Sequence, residues 1–452
     1  MLTFEVYGGY TKSTKRTTQK HKLKSHNELF AKISNERKKG ISGYYALPFE
    51  SRALKDIASF CELRKNMLNK LEYIVLIGVG GSSLGTKAIY HLLRQNYALN
   101  FTKSHKNPPK IVFLEHTDAL IIPQILAPIK LESSLFIAIS KSGSTIETSS
   151  LLKFVIDKFG LLDSSANKAH LLCITDEDSA LQQFALKEGI ECITIAPSVG
   201  GRFSVLSAVG LVPLALLGFN AKQILRGARE FMESFFARKE EHILAKALFL
   251  ANNHKKYPIT TLFSYSSVFK EFNAWFVQLW GESLGKINKQ GKAVGLSPIG
   301  LIGSIDQHSF LQLIVEGKAD KSVTFLSIAP KFISQSLQKR NNQTCPKIPL
   351  LSLPSLESTD FVNGIDFSEL LDRQRVATLE SLANLETTKH KKKQKIPLDS
   401  IVLNELSEAS VGALVAYFEL LTSAVGCALE IDTYNQPGVE LGKKRLKNGF
   451  CK

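Results

Sequence analysis

The sequence predicts an α/β protein with two domains, each built around a mostly parallel sheet that helices cover on both faces. Short, continuously apolar runs alternate with longer segments of helical pattern, as is typical of parallel strands buried on both sides. The alternation runs from residue 73 to 196 and resumes after about residue 220, so the rhythm is repeated along the chain. The length of 452 residues also indicates more than one domain, since single domains usually hold about 100 to 200 residues.

Five strands are predicted in the first series, because each is a short apolar run between polar or glycine-rich segments. They are Tyr73–Ile77, Ile111–Leu114, Leu135–Ile139, His170–Thr175 and Cys192–Ala196. A helix is predicted over Glu147–Phe159, because Leu151 and Val155 recur with helical spacing and Gly160 follows as a stop signal.

The second series has the same kinds of segment. Strands are predicted at Thr260–Tyr265 and Val323–Ile328, with an aromatic-rich helix over Val268–Trp280 between them. The most apolar stretch, Ala409–Ile431, contains Glu419 and two glycines. It is therefore predicted to be a buried helix rather than a membrane span, which needs about 20 residues of sustained apolarity.

The charge balance is strongly basic, with 57 Lys and Arg against 41 Asp and Glu and a formal net charge of +16. Such a balance suits nucleic acid, a membrane surface or anionic metabolites as partners. The basic residues are concentrated in three runs, at 12–24, 389–395 and 443–447, which are interpreted as solvated surface. No helix-turn-helix or aromatic RNA-binding motif is evident, so no nucleic-acid partner is expected.

The six cysteines form no C-x-x-C pair and no His/Cys cluster with zinc spacing, so no metal site is predicted. Cys173 and Cys192 lie inside apolar runs, where cysteine acts as a small hydrophobic side chain. This usage indicates a reducing compartment. The chain begins MLTFEVYGGYTKSTKR, without the apolar core of a signal peptide, and a cytoplasmic location is expected.

Two loops that directly follow predicted strands have the composition of anion-binding sites. Residues 78–85 read GVGGSSLG, and their glycines let the backbone turn sharply and approach a ligand. The loop matches neither Walker A nor the dinucleotide motif, since Ser83 stands at the third glycine position. Residues 140–148 read SKSGSTIET and place hydroxyls and amides at a helix start, which favours phosphate. The alternative is that the two loops are plain turns and helix caps without a ligand. It is less favoured because both loops follow the carboxyl ends of strands in one sheet, where ligands bind.

Four further segments carry a single charged side chain in a distinctive setting. Arg202 lies in SVGGRFSVLSAVG, and Glu282 lies in QLWGESLGK at the end of the aromatic helix. His308 lies in GSIDQHSFL, and Lys443 lies in YNQPGVELGKK. Taken singly, each of them has an ordinary structural interpretation, such as a helix cap, a solvated carboxylate or one more member of a basic tail.

Together, the six segments resemble the glucose-6-phosphate isomerase family in its compact bacterial form. SVGGRFSVLSAVG is similar to the first signature of that family, and GCALEIDTYNQPGVELGKK, from Gly426, is similar to the second. SKSGSTIET resembles its phosphate loop, while GESLGK and DQHSFLQL resemble the stretches that bear its base and its histidine. The segments follow in order from about residue 70 to residue 447, which makes the combination far more specific than any one loop.

The resemblance implies two sugar-isomerase (SIS) domains, each a three-layer α/β/α sandwich around a mostly parallel sheet. The expected division is an N-terminal arm at 1–50, a first domain at 51–215, a second at 216–425, and a C-terminal helix and tail at 426–452. The family interconverts glucose 6-phosphate and fructose 6-phosphate without a metal or organic cofactor. The resemblance also implies a homodimer in which the histidine enters the site of the other subunit.

Carried over residue by residue, the resemblance implies that Glu282 is the base that moves a proton between C2 and C1. Arg202 would lie beside the enediolate, and His308 and Lys443 would assist ring opening. The substrate phosphate would be bound or flanked by Ser82, Ser140, Lys141, Ser142, Thr145 and Thr148. The sugar would be bound by Gly81, Gln278 and Gln436.

The sequence departs from the family pattern at several places, but no catalytic position is missing. It is short at the N-terminus relative to the long animal forms, and the basic run at 389–395 is not associated with the family. Gly143–Ser144 stand where many relatives carry bulkier or threonine residues, and Pro437 stands where long forms carry tryptophan. Three alternatives are considered: a dual glucose/mannose phosphate isomerase, a glucosamine-6-phosphate synthase half, and a non-catalytic sugar-phosphate sensor. The synthase would need an N-terminal glutaminase with a cysteine near residue 2, and a sensor would be free to lose Glu282, His308 or Lys443.

Overall fold

A computed structural model describes residues 1–8, 19–94, 108–339, 344–384 and 396–450. The described part has two five-stranded sheets, and helices lie on the faces of both. The predicted fold class, an α/β protein with three-layer units, is confirmed.

The first sheet is formed by β2 (Tyr73–Ile77), β3 (Lys110–Leu114), β4 (Ser134–Ile139), β5 (Leu171–Asp176) and β6 (Glu191–Ile195). It is entirely parallel and has the order β3-β2-β4-β5-β6. All five predicted strands are thus present, each within about a residue of its predicted ends. The helices that connect and flank them are α4 (Leu84–Leu93), α5 (Ile122–Leu126), α6 (Ile146–Phe159), α7 (Ser165–Lys168), α8 (Ala180–Glu188) and α9 (Ala208–Leu216).

The second sheet is formed by β1 (Leu2–Gly8), β7 (Ile259–Tyr265), β10 (Ser297–Gly303), β11 (Lys321–Ile328) and β12 (Leu398–Leu403). It has the order β1-β12-β11-β7-β10 and is parallel except for β1 at its edge. A two-stranded hairpin, β8 (Lys286–Ile287) and β9 (Ala293–Val294), lies outside it. The helices that accompany this sheet are α10 (Ala221–Phe236), α11 (Glu241–Asn253), α12 (Lys270–Leu284), α13 (Leu311–Val315), α14 (Pro330–Lys339), α15 (Phe367–Ala383) and α16 (Glu408–Leu429).

The largest apolar core lies between the two sheets. One face of the first sheet, represented by Ile74 and Ile137, shares this core with Leu326 and Ile401 of the second sheet. The opposite faces pack against separate helical layers. Because alternate residues of each strand point to opposite faces, a continuously apolar strand is what two covered faces require.

Helix α16 passes through the central core. Ser407 begins it with a capping box that Ser410 completes. It is the one helix in the described ranges that is long and apolar enough to span a membrane, and 94% of its most apolar window is buried inside the protein. The prediction of a buried helix at 409–431 is therefore confirmed.

The N-terminal residues are more ordered than an irregular arm would be. Strand β1 pairs antiparallel with β12, and α1 (Gln19–Lys39), α2 (Arg52–Leu63) and α3 (Lys65–Leu68) follow it. The basic run at 389–395 and the side chains at 12–24 lie outside what the structure describes. Lys443, Arg445 and Lys447 are exposed on α17 (Glu440–Phe450), as solvated residues would be. The division into domains stays a prediction.

Candidate active site

The two predicted anion-binding loops lie side by side at one edge of the first sheet. Strands β2 and β4 are paired in parallel, so their carboxyl ends meet at that edge. Gly78, just after β2, is so close to Ile139 at the end of β4 that an added Cβ would lie 3.0 Å from the Ile139 carbonyl oxygen. The carboxyl edge of a parallel sheet is where α/β proteins bind ligands.

The SKSGSTIET loop forms a group of hydroxyls in front of helix α6. The Oγ atoms of Ser142 and Ser144 are 2.8 Å apart, and the Ser140 hydroxyl donates to Thr145 Oγ1 at 3.4 Å. Ser142 and Ser144 are exposed, while Thr148 is buried behind them in the first turns of α6. An α-helix N-terminus with hydroxyls around it has the donors that a phosphate needs.

Lys141 ties this loop to the segment that precedes Arg202. Its Nζ donates to the carbonyl oxygens of Pro197 and Val199 at 2.6 and 2.7 Å, and it pairs with Asp176 Oδ2 at 3.2 Å. Burial raises the pKa of the Asp176 carboxyl, and the Lys141 charge opposes that rise. The ammonium group therefore keeps positive charge at the edge of the hydroxyl loop.

The Gly-rich loop after β2 contacts the Arg202 segment through its backbone. A Cβ at Gly81 would lie 2.3 Å from the carbonyl carbon and oxygen of Gly201, which no side chain can tolerate. Gly80 has φ +61, a left-handed conformation that favours glycine, and its Cα faces the Gln278 side chain. These glycines therefore bring three predicted site segments into one cluster.

Arg202 is the centre of that cluster, with only 1% of its side chain exposed. Its Nε donates to Ser283 Oγ at 2.7 Å, and its Nη1 donates to the side-chain oxygens of Glu282 and Gln436, both at 3.1 Å. Its Nη2 donates to the carbonyl oxygens of Thr433 and Asn435 at 2.6 and 3.1 Å. Burial lowers the pKa of the guanidinium and Glu282 opposes that shift, but arginine stays charged in proteins.

Glu282 lies on the last turn of α12 and keeps 29% of its side chain exposed. Its Oε1 accepts from Arg202, and its Oε2 accepts from Gln278 Nε2 at 3.2 Å. The spacing of four residues puts Gln278 on the same helix face, one turn earlier. The carboxylate is thus held by two donors while part of it remains open to a ligand.

A cleft of about 610 Å³ joins the phosphate loop to this cluster, and Lys141, Gly201, Asp432 and Gln436 are among the residues that line it. Its size is that of a small-molecule site. Of the predicted phosphate-binding and sugar-binding residues, Lys141 and Gln436 line this cleft.

The structure leaves two predicted catalytic residues outside the Arg202 cluster. His308 is exposed in a 3₁₀ turn (Ile305–His308) after β10, and among the described residues its side chain makes no hydrogen bond or ion pair. Lys443 is exposed in the first turn of α17, just beyond the segment that carries Gln436. Within one chain the geometry therefore joins Arg202 and Glu282 but does not join His308 to them.

Sequence reasoning did not assign a role to two residues of the GESLGK segment. Ser283 accepts from Arg202, and Lys286 donates to the carbonyl oxygens of Glu282 and Ser283 at the end of α12. Burial, with the nearby charge of Arg202, lowers the pKa of Lys286 to about 8. The only feature of the sequence that could have indicated these two residues is their position near Glu282 in the GESLGK segment.

The depressed pKa of Lys286 predicts a pH-dependent contribution to stability. Between pH 8, near the folded-state value, and 10.5, its ordinary value, the unfolded chain binds more protons at this group than the folded chain does. The stability of the native protein relative to Lys286→Gln should therefore increase with pH across this interval and be constant below it. Urea unfolding of both proteins at several pH values measures this difference, and a flat or falling difference would contradict the assignment.

Comparison with known proteins agrees with this geometry. The family model described as phosphoglucose isomerase matches residues 52–448. The chain is 43% identical over 419 residues to the glucose-6-phosphate isomerase of Campylobacter jejuni, covering 92% of this chain and 94% of that protein. It is 31% identical over 402 residues to a glucose-6-phosphate isomerase of Thermus thermophilus, covering 89% of this chain and 88% of that one.

Solved structures match over nearly the whole chain as well. A hypothetical protein from Thermus thermophilus superposes with a TM-score of 0.79 at 29% identity, covering 96% of each chain. A glucose-6-phosphate isomerase from Chlamydia trachomatis, at 22% identity, has the same fold, with a TM-score of 0.75 and coverage of 99% of this chain and 88% of that one. The fold, the order of the site segments and the extent of these matches establish that the chain belongs to the phosphoglucose isomerase family.

Proposed function

We propose that this protein interconverts glucose 6-phosphate and fructose 6-phosphate, with Glu282 as the base and Arg202 as the stabilising cation. The observation that carries the proposal is the buried guanidinium of Arg202, which donates to the partly open carboxylate of Glu282 and to Gln436. Arg202 and Glu282 both lie next to the loop of hydroxyls and to Lys141 at the edge of the first sheet. The proposed phosphate subsite and the proposed proton-transfer site are thus adjacent.

The proposed reaction proceeds through an enediolate. The proton on the carbon next to the carbonyl is weakly acidic, and a carboxylate held in a partly dry site removes it. Negative charge then grows on the carbonyl oxygen, where a fixed guanidinium stabilises it without reorganisation. The same carboxylic acid returns the proton to the neighbouring carbon, while the hydroxyl proton of the enediolate moves from one of its two oxygens to the other. Glu282 therefore serves both transfers at carbon.

The phosphate supplies binding energy remote from the reacting carbons. The proposed contacts are the hydroxyls and amides of the two loops, from Ser82, Ser140, Ser142 and Thr145, with Lys141 and Thr148 flanking them. Such contacts position C1 and C2 beside Glu282, and this positioning is worth more in the transition state than in the free substrate. The proposed sugar contacts are Gly81, Gln278 and Gln436.

A homodimer is proposed because the site within one chain is incomplete. Ring opening needs a donor and an acceptor near the ring oxygen and O1, roles proposed for Lys443 and for His308 of the partner subunit. The exposed position of His308 supports this arrangement. Large apolar side chains are also exposed on its own turn and on the segment between α14 and α15, at Ile305 (65%), Leu350 (87%) and Phe361 (80%). In the proposed dimer, the partner subunit would cover the exposed apolar residues of this segment.

Mixed dimers test the shared site. Neither Glu282→Gln nor His308→Ala should be active alone, but a mixed dimer of the two regenerates one native site. Random pairing of equal amounts should restore about a quarter of the native activity, since half of the dimers are mixed and each has one intact site. The two variants are co-refolded and assayed against separately refolded samples. A mixture no more active than its components would contradict the shared site.

The activity is tested directly with the purified protein in a coupled assay with fructose 6-phosphate and EDTA. Glucose 6-phosphate should form at a rate that saturates with substrate, and mannose 6-phosphate should not be a comparable substrate. A folded protein that binds the sugar phosphate without converting it would instead favour a sensor.

The proposed location is the cytoplasm, and the proposed domains are those of the expected division at 51–215 and 216–425.

A further inference from the structure

Helix α1 reaches the active-site cluster through Glu36. The carboxylate of Glu36 accepts from Tyr434 Oη at 2.7 Å, from Tyr45 Oη at 3.2 Å and from Cys427 Sγ at 3.1 Å. These three donors come from the 3₁₀ turn after α1, from α16 and from the loop that follows α16. One carboxylate therefore joins the N-terminal helix to the C-terminal signature segment.

Tyr434 is the member of this network that lies next to the site. Its hydroxyl also contacts Ser423 Oγ on α16 at 3.0 Å, and its ring packs edge-on against Phe203 with centroids 5.4 Å apart. Phe203 follows Arg202 in the chain. Tyr434 is thus fixed at its hydroxyl end and packed against the segment that carries the guanidinium.

The loop 433–436 supplies three of the five acceptors of Arg202. Thr433 and Asn435, the neighbours of Tyr434, accept at their carbonyl oxygens, and Gln436 accepts at its side chain. The two acceptors from α12, Ser283 and Glu282, bind Nε and Nη1, and Glu282 shares Nη1 with Gln436. A shift of this loop would therefore displace Arg202 relative to Glu282.

We infer that Glu36 and Tyr434 are positioning residues for the isomerase reaction, because they fix the loop that orients Arg202 and Gln436. The inference rests on the role proposed for Arg202. Glu36 and Tyr45 lie before residue 52, where the match to the family model begins. The N-terminal helix is thereby a functional support of the site rather than a cover.

The variants Tyr434→Phe and Glu36→Ala remove the anchor without touching a residue proposed to contact substrate. We expect kcat to fall about tenfold in each, because displacements of about 1 Å can reduce rates by up to a hundredfold. The KM for fructose 6-phosphate should change less than kcat, since the phosphate contacts lie on other loops and Gln436 is the one proposed sugar contact on this loop. Glu36→Gln keeps an acceptor for the tyrosine hydroxyls and should recover most of the loss.

Tyr44→Phe is the matched control. It removes a buried hydroxyl that contacts Ser423 at 2.8 Å in the same aromatic cluster, and the link of that hydroxyl to Tyr434 runs through Ser423 instead of Glu36. Its kcat should stay near the native value even if its melting temperature falls. All assays are run well below the melting temperature of each variant, measured by circular dichroism.

Two results would overturn the inference. One is a kcat within twofold of native for Tyr434→Phe and Glu36→Ala, and the other is an equal loss of kcat in Tyr44→Phe. Arg202→Lys, assayed in parallel, separates this failure from that of the proposed function. If Arg202→Lys is impaired and Tyr434→Phe is not, only the positioning role is wrong; if Arg202→Lys is fully active, the role of Arg202 itself is wrong.

Discussion

Replacing Glu282 by glutamine should reduce kcat by about 10³- to 10⁴-fold, the upper part of the range for general base catalysis. The amide is nearly the same size as the carboxylate and keeps an oxygen that can accept from Arg202, so the fold should be retained. It cannot take up the substrate proton. The coupled assay and a circular dichroism melt of the same sample measure both properties.

Glu271→Gln is the control for this change. Glu271 lies in the first turn of the same helix, α12, where its Oε2 is 3.7 Å from Lys87 Nζ, away from the Arg202 cluster. Its kcat should stay within about twofold of native, because partly exposed ion pairs contribute little. A native rate in Glu282→Gln would refute the proposed base.

Replacing Arg202 by lysine should reduce kcat by about 10²- to 10³-fold, the effect of removing one oxyanion donor from a preorganised site. Lysine keeps the charge but lacks the planar fork that serves five acceptors at once. The protein should also be less stable, by about 1–3 kcal/mol, because buried acceptors of the guanidinium are left without a donor. Steady-state kinetics and urea unfolding measure the two effects.

Arg226→Lys provides the comparison for Arg202→Lys. Arg226 is 56% exposed on α10 and pairs with Glu230 at 3.7 Å, so the same chemical change there should alter neither kcat nor stability appreciably. Equal effects of the two substitutions would mean that the buried position of Arg202 has no special role.

The sequence predicted well those strands and helices whose residue pattern is contained within the element itself. The run Tyr73–Ile77 is apolar at every position and is strand β2 without a shift of its ends. Gly160 ends α6 in the left-handed conformation, as a glycine stop signal predicts. Strands β10 and β12 were missed, because SPIGLIG carries a proline and two glycines and LDSIVL is interrupted by Asp399 and Ser400.

The site shows the same division between local and non-local information. Motif resemblance named Arg202, Glu282 and Gln436, and the fold brings these three together. The anchoring of Tyr434 by Glu36 joins residues at opposite ends of the chain, so no local spacing could indicate it. Strand β1 was missed for a similar reason, since its only partner in the described sheet is β12.

Glu282 is proposed to move a proton between C2 and C1 through an enediolate. Conversion of fructose 6-phosphate in D₂O, with the products followed by proton NMR, measures the fate of this proton. With the native protein, deuterium should accumulate at C2 of glucose 6-phosphate over many turnovers, because the carboxylic acid exchanges its proton with solvent. Glu282→Gln should catalyse neither isomerisation nor exchange. Isomerisation without any deuterium incorporation, or exchange that persists in Glu282→Gln, would contradict the mechanism.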